Sequence, residues 1–394
     1  MTAEKPAPRL RDGVIRRGNT WSYVLRVTDA NGVSKPRWTG GFPTEAAAKA
    51  ARDQARVANA RGEFVLRNGV TVGEYLRAWL DGHALEVKPR TRAGYAQIIN
   101  SYVVPRIGHL RLQDVRPATL SGLYRTLLDE GGKGGRPLSP RTVEYTHAVL
   151  RKAFRDAVVT DQVIPTNPAE RAKRPRKVSA PPNDDMWNAN DLAAFLVTAS
   201  EHRLHAFYRL AAYTGARRGE LLHLRWRDVD LGPAPSIRIR GTVGVVDGRR
   251  VEGSTKGGRE RTVSIDEGTV AVLREHRRRQ EADRALAGDS WIAGDLVFRM
   301  DIGAPLFPDT PTALFAKLIR RHNDAHPDAP LPPLRLHDLR HLHATLLLRA
   351  GQPVHVVSAR LGHADPSITL RVYAHVLADQ AAGAADAFAQ AMGE

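Results

Sequence analysis

Residues 214–224 read TGARRGELLHL. Gly215 and Gly219 flank the pair Arg217-Arg218, and Leu221, Leu222, Leu224 and Trp226 follow, so the stretch reads as a turn opening an amphipathic helix. A guanidinium in such a turn sits beside helix-initial N–H groups and can receive a phosphate oxygen. By itself the pattern equally fits a surface arginine. Around this turn, residues 189–394 are largely helical, starting from a cap at Asn190 or Asp191. One interruption, Ser236–Ile265, carries β-branched alternation (Ile237, Ile239, Thr242–Val246, Arg261–Ile265) and the turn Asp247-Gly248. It predicts a small antiparallel sheet embedded in helices.

Further upstream the period changes twice. From Gly13 to Thr39, Trp21, Tyr23, Leu25 and Val27 alternate with residues that include Arg26; Arg16 and Arg17 precede them, and Asn31-Gly32 marks a hairpin. Thr44 then caps a helix over 45–62, with Ala46, Ala47, Ala50, Ala51 and Val57 at helical spacing. Residues 1–67 thus read as a short tail (1–12) and a small α+β module whose arginine-bearing strands suit a DNA groove. Residues 70–172 read as an all-α bundle of four or five helices, with stripes through Val72–Leu80, Tyr95–Val103, Leu120–Leu128 and Thr142–Val159. Residues 173–188 form a basic, proline-containing linker. The fold class expected is mainly α with small β-sheets, in several domains.

The chain has 394 residues, 59 Lys and Arg against 42 Asp and Glu, and a net charge of +17. Residues 1–188 hold 32 basic and 18 acidic residues, a surplus of 14, so a polyanion partner is expected mainly for the N-terminal half. Arg16, Arg17, Arg26, Arg90, Arg141, Arg174, Arg176 and Lys177 are the expected DNA contacts. The absence of cysteine excludes disulfides, thiolate metal sites and cysteine nucleophiles. No apolar run is long enough to span a bilayer and the first residues lack a signal core, so a cytoplasmic, nucleoid-associated protein is expected.

Three further clusters carry chemistry. Lys256, in Gly253-Ser254-Thr255-Lys256-Gly257-Gly258, is one of only two lysines after Asn188, the other being Lys317. Lysine donates a proton where arginine cannot, so it fits a mobile general acid or a plain turn residue. In Leu336-His337-Asp338-Leu339-Arg340-His341-Leu342-His343, His337 and His341 stand at i, i+4, but the HExxH order is missing and a cation lies between them. No metal is expected there; His337 and Arg340 at i, i+3 suit a phosphoryl oxyanion. Finally, Leu361-Gly362-His363 precedes Tyr373 by ten residues. A phenol with a pKa of ~10 is about one part in a thousand ionised at pH 7, so nucleophilic use needs a base or a cationic site.

In order, TGARRGE, STK, HDLRH, LGH and VYAHV resemble the tyrosine recombinase (phage integrase) family over Asn190–Ala378. The resemblance implies a site-specific DNA recombinase that cuts and rejoins strands through a 3′-phosphotyrosyl intermediate. It makes Arg217 and Arg340 the phosphate clamp, Lys256 the catalytic lysine, His337 and His363 the two histidines, Tyr373 the nucleophile and Glu220 the support of the first arginine. His337 is also expected to assist removal of the tyrosine proton. Arg218 competes with Arg217 by position alone. Departures are Ala216, Leu342 and Arg371-Val372, and none removes a reacting group. The modules before it are implied to be an arm-type, AP2-like DNA-binding domain (1–67) and a SAM-like core-binding domain (70–172), with catalysis in 189–394. No cofactor is implied. The implied partners are double-stranded attachment-site DNA, a homotetramer on synapsed DNA, a directionality factor and a host DNA-bending protein. A tail at Leu377–Met392 would dock in cis or on a neighbouring protomer. Arginine-over-lysine usage points to a GC-rich genome of actinobacterial type. Type IB topoisomerase-like relaxation, or DNA binding without catalysis, are the alternatives.

Overall fold

A computed structural model describes residues 13–28, 34–60, 65, 68–175, 186–255, 257–363 and 365–381, together with 388, 389 and 392. The chain divides into two compact units, Met1–Ser179 and Ala180–Glu394. In the first, β1 (Val14–Arg17), β2 (Thr20–Thr28) and β3 (Ser34–Phe42) form an antiparallel sheet in that order. Period-two alternation turns Tyr23 and Leu25 onto Ala48 and Ala55 of α1 (Glu45–Ala60). Thr44 starts that helix, its Oγ1 accepting the Ala47 N–H at 3.2 Å. The register pairs Arg17 with Thr20, Val24 with Trp38 and Arg26 with Pro36, which puts Arg17 and Arg26 on the face opposite the helix. The Arg17 guanidinium lies 4.4 Å from the centre of the Trp38 ring. The tail at 1–12 and the Asn31-Gly32 turn lie outside the described residues.

The same unit contains a helical bundle. Its α2 (Val72–His83) opens with a capping box, Thr71 Oγ1 accepting from the Glu74 N–H and Glu74 Oε2 from the Thr71 N–H. Next, α3 (Pro89–Gln97) runs through a π-helical turn, Ile98–Val103, into α4 (Val104–Ile107). Pro105 has no N–H to give the preceding turn, and the Arg106 guanidinium donates to the Ser101 and Tyr102 carbonyls there instead. α5 (Pro117–Glu130) and α6 (Pro140–Val159) complete a core of Leu76, Ile99, Leu120, Leu127, Leu150 and Phe154. Two polar side chains of α2 are tied to the end of α6 and the turn after it, Trp79 Nε1 donating to Asp156 Oδ2 at 2.8 Å and the Tyr75 hydroxyl to Asp161 Oδ2 at 2.7 Å.

The second unit starts with α7 (Ala189–Ala199). Its cap is Asn188 rather than Asn190 or Asp191: Asn188 Oδ1 accepts both of their N–H groups, and Asp191 Oδ2 returns the bond to the Asn188 N–H. There follow α8 (His205–Thr214), α9 (Arg218–His223), β4 (Val229–Asp230), β5 (Ser236–Ile239), β6 (Gly241–Val246), β7 (Arg249–Ser254) and β8 (Arg261–Ser264). The expected single sheet is two: β4-β5-β8, and a separate β6–β7 hairpin. Gly241 lies against the His223 ring closer than any side chain permits, and there the chain leaves the first sheet to pack on α9. The remaining helices are α10 (Glu267–Ala287), α11 (Asp309–Ala325), α12 (Asp338–Arg349), α13 (Val354–Leu361) and α14 (Pro366–Ala381). Interlocked rings of Trp187, Phe195, Phe207, Tyr208, Phe298 and Phe315 fill the core. The fold is mainly α with small antiparallel sheets. Among the described residues no helix is long and apolar enough to cross a membrane.

Candidate active site

The site is built around one buried carboxylate. Gly215 ends α8 in the left-handed conformation (φ 62°), where a Cβ would lie 2.7 Å from Leu361 and 2.8 Å from the His343 ring. The chain then enters α9 with Arg217 at its cap position. Glu220, three residues on, takes the Arg217 N–H on Oε2 and Arg217 Nη1 on Oε1, both at 2.9 Å. Arg261 of β8 reaches the same carboxylate with Nη1 at 3.2 Å and Nη2 at 2.7 Å, and its Nε donates to the Arg360 carbonyl at 3.0 Å. Burial pushes the Glu220 pKa up, but the Arg261 and Arg217 bonds outweigh it and leave it below the usual carboxylate range. Gly362 (φ 69°) stands against the Arg261 guanidinium, so its missing side chain lets that arginine pass.

Arg340, on the first turn of α12, is buried and donates Nη1 to the Gly215 carbonyl and Nη2 to the Leu361 carbonyl, each at 2.7 Å. These bonds take two of its five N–H donors and fix the fork between the ends of α8 and α13. Burial, then the neighbouring Arg217 charge, brings its pKa down to about 9, so it stays cationic at neutral pH. His363 follows α13, its Nδ1 2.7 Å from Thr369 Oγ1. Burial, then Arg340 and Arg217, lower its pKa to about 4 and keep the ring neutral. His337 is exposed at the start of α12, its ring edge-on to His341 with centroids 5.4 Å apart. Desolvation, then His341 and Arg340, hold its pKa below the usual value.

Tyr373 belongs to α14 but departs from helical geometry (φ −114°, ψ 18°). Its ring, 3% exposed, packs among Ala344, Leu348, Val357 and Leu361, and its hydroxyl lies 2.9 Å from His341 Nδ1. Burial pushes the phenol pKa up to about 12, while Arg340 pulls the other way. A buried guanidinium, a second one held by a buried carboxylate, two neutral imidazoles and a phenol thus share one pocket. Such a pocket suits phosphodiester chemistry.

Residues 187–380 match the phage integrase family, and residues 71–128 match the phage integrase N-terminal SAM-like domain. The chain belongs to the phage integrase family. Among relatives, it is 25% identical to a XerC-like tyrosine recombinase of Caldanaerobacter subterraneus subsp. tengcongensis, over 82% of this chain and 85% of that one. It is 27% identical to an integrase of Streptomyces ambofaciens, covering 79% and 78%. The ICEBs1 integrase of Bacillus subtilis is 26% identical, covering 74% and 75%. Solved structures share the fold. The Tn1549 transposon integrase with transposon right end DNA has a TM-score of 0.63 at 19% identity, over 82% of this chain and 100% of that one. A lambda integrase tetramer on a Holliday junction has a TM-score of 0.55 at 17% identity, over 92% and 95%.

Of the family residues expected from sequence, Arg217, Glu220, His337, Arg340, His363 and Tyr373 all lie at this pocket. Lys256 lies outside the described residues. Arg218 points elsewhere, its Nη1 donating to Asp309 Oδ1 at 3.1 Å and Thr312 Oγ1 at 2.7 Å on α11. Among the described residues no three His, Cys, Asp or Glu side chains converge as a metal site. Arg16, Arg17, Arg26, Arg90, Arg141 and Arg174 are exposed on the first unit, and Arg176 and Lys177 lie outside the described residues. Sequence reading missed Arg261, which carried no signal beyond opening a strand. It also missed the contact of His341 with the tyrosine, because 32 positions separate the two.

Proposed function

We propose that the chain is a site-specific DNA recombinase in which Tyr373 is the nucleophile and Arg217 and Arg340 grip the scissile phosphate. Tyr373 Oη attacks phosphorus in line with the 5′ oxygen, the P–O5′ bond breaks, and a 3′-phosphotyrosyl bond forms. Both guanidiniums neutralise the non-bridging oxygens, and the uncharged His337 and His363 rings hydrogen-bond them. Lys256 gives its proton to the departing 5′ oxygen. In the second half of the reaction a 5′ hydroxyl from another strand attacks the phosphotyrosine and the phenol leaves. The energy of the original bond is retained, so rejoining needs no nucleotide cofactor. The observation carrying the reading is that the Arg340 fork, immobilised on two carbonyls, adjoins both the Tyr373 phenol and the Glu220-anchored Arg217.

Double-stranded attachment-site DNA is the substrate and four protomers pair two such sites; the lambda integrase tetramer on a Holliday junction supports that assembly. Residues 1–67 take arm-type DNA, 70–172 take core DNA, 173–188 link them to the catalytic domain 189–394, and a directionality factor and a host bending protein join the complex. Nicked DNA carrying the attachment site, found in sequence flanking the gene, tests this. Wild-type protein should form a covalent adduct that Tyr373→Phe cannot form, and should join two sites intermolecularly. Tight binding without an adduct would favour an architectural protein; relaxation without joining would favour a topoisomerase.

A further inference from the structure

We propose that His341 is a catalytic residue, the group that orients the Tyr373 hydroxyl and accepts its proton as the phosphotyrosyl bond forms. This rests on Tyr373 being the nucleophile. Among the described residues the hydroxyl's hydrogen-bond partner is His341 Nδ1 at 2.9 Å, within the range required of a general base. The exposed His337 ring stands edge-on to His341 rather than on the phenol. In the tautomer carrying Nε2–H, His341 Nδ1 accepts from the hydroxyl. During attack the proton passes from Oη to Nδ1, the oxygen lone pair forms the O–P bond, and the imidazolium holds the proton until the phenol leaves again.

The surroundings keep this base unprotonated before reaction. His337, Asp338 and Arg340 face it from its own helix, Arg335 from the preceding loop, Tyr373 from α14 and His363 from the end of α13. Burial lowers its pKa first; Asp338 opposes this, while Arg340 and Arg335 add to it, so the ring is neutral above its ordinary value of ~6.5.

The test is single-turnover adduct formation by the full chain on nicked attachment-site DNA from pH 5.5 to 9. Wild-type rates should climb with pH to a plateau, with the midpoint of the rise below about pH 6.5. His341→Asn keeps a polar atom near the hydroxyl but cannot take the proton. It should fall about 100-fold and rise with hydroxide throughout. A substrate with sulfur at the bridging 5′ position has a leaving group that needs no proton, so it should not rescue this variant. Rescue by sulfur, or a wild-type rate and profile in His341→Asn, would overturn the assignment. A second readout needs no catalysis: with 15N-labelled histidine, the His341 Nδ1 resonance should differ between wild type and Tyr373→Phe, and an unchanged resonance would contradict the contact. Retention of an adduct by Tyr373→Phe would instead overturn the underlying reading.

Discussion

Replacing Arg261 by Met tests whether Glu220 holds the site together. Methionine keeps much of the apolar stem and removes three donors: Nη1 and Nη2 to Glu220 at 3.2 and 2.7 Å, and Nε to the Arg360 carbonyl at 3.0 Å. The side chains of Arg261 and Glu220 are 11% and 1% exposed, so water neither screens the pair nor replaces the lost partner. Leaving a buried charge with no partner costs about 3–5 kcal/mol; Glu220 keeps its two bonds from Arg217, so the loss falls at the lower end, about 3 kcal/mol. For a unit of this size that is a fall in melting temperature of roughly 6–12 °C. Tryptophan fluorescence would follow it, with Trp187, Trp226 and Trp291 reporting on the second unit. Glu220→Gln combined with Arg261→Met should cost far less than the two single changes summed, a coupling of about 2 kcal/mol or more. A shift under about 2 °C, or simple additivity, would refute the anchoring role.

Three other outcomes follow from particular contacts. Arg217→Ala should cut cleavage about 100-fold or more, whereas Arg218→Ala, whose guanidinium is engaged with Asp309 and Thr312, should stay within a few-fold in the same adduct assay. His343 accepts the Arg360 Nε–H at 3.1 Å, and burial, then Arg360, lower its pKa to about 4. The unfolded chain therefore binds that proton more readily: the contribution is complete above pH ~6.5 and is lost as pH falls towards 4, roughly 3 kcal/mol in all. Denaturation midpoints at pH 7.5 and 4.5 should separate more in wild type than in His343→Gln; the depressed carboxyl of Glu220 adds its own loss only below ~4.5. Replacing both Arg17 and Arg26 by Ala should weaken DNA binding and flatten the dependence of log K on log salt by about two.

Sequence reading was most informative where residue chemistry is rare and least where several residues compete for one role. Tyr373, Arg340 and His363 stood out because phenol, guanidinium and imidazole recur in a fixed order. Arg217 and Arg218 are chemically identical, and only helix geometry separates them: the i, i+3 relation gives Glu220 to Arg217, while the next residue turns towards α11. The cap of α7 slipped by two or three residues because Asn188, Asn190 and Asp191 all suit the position, and the reciprocal Asn188–Asp191 bonds decide it. The apolar stripe through Ile98 and Tyr102 gave no sign of the π-turn, which arises from the missing donor of Pro105. Arg261 is one arginine among many until the fold sets it against a carboxylate 41 positions away.

The most direct measurement is the identity of the residue joined to DNA. Trapping the reaction on a nicked attachment site, digesting protein and DNA, and sequencing the cross-linked peptide by tandem mass spectrometry should find the phosphoryl group on Tyr373 alone. A 3′-phosphoryl group on any other side chain, or strand exchange with no protein-linked DNA at any time, would contradict the account.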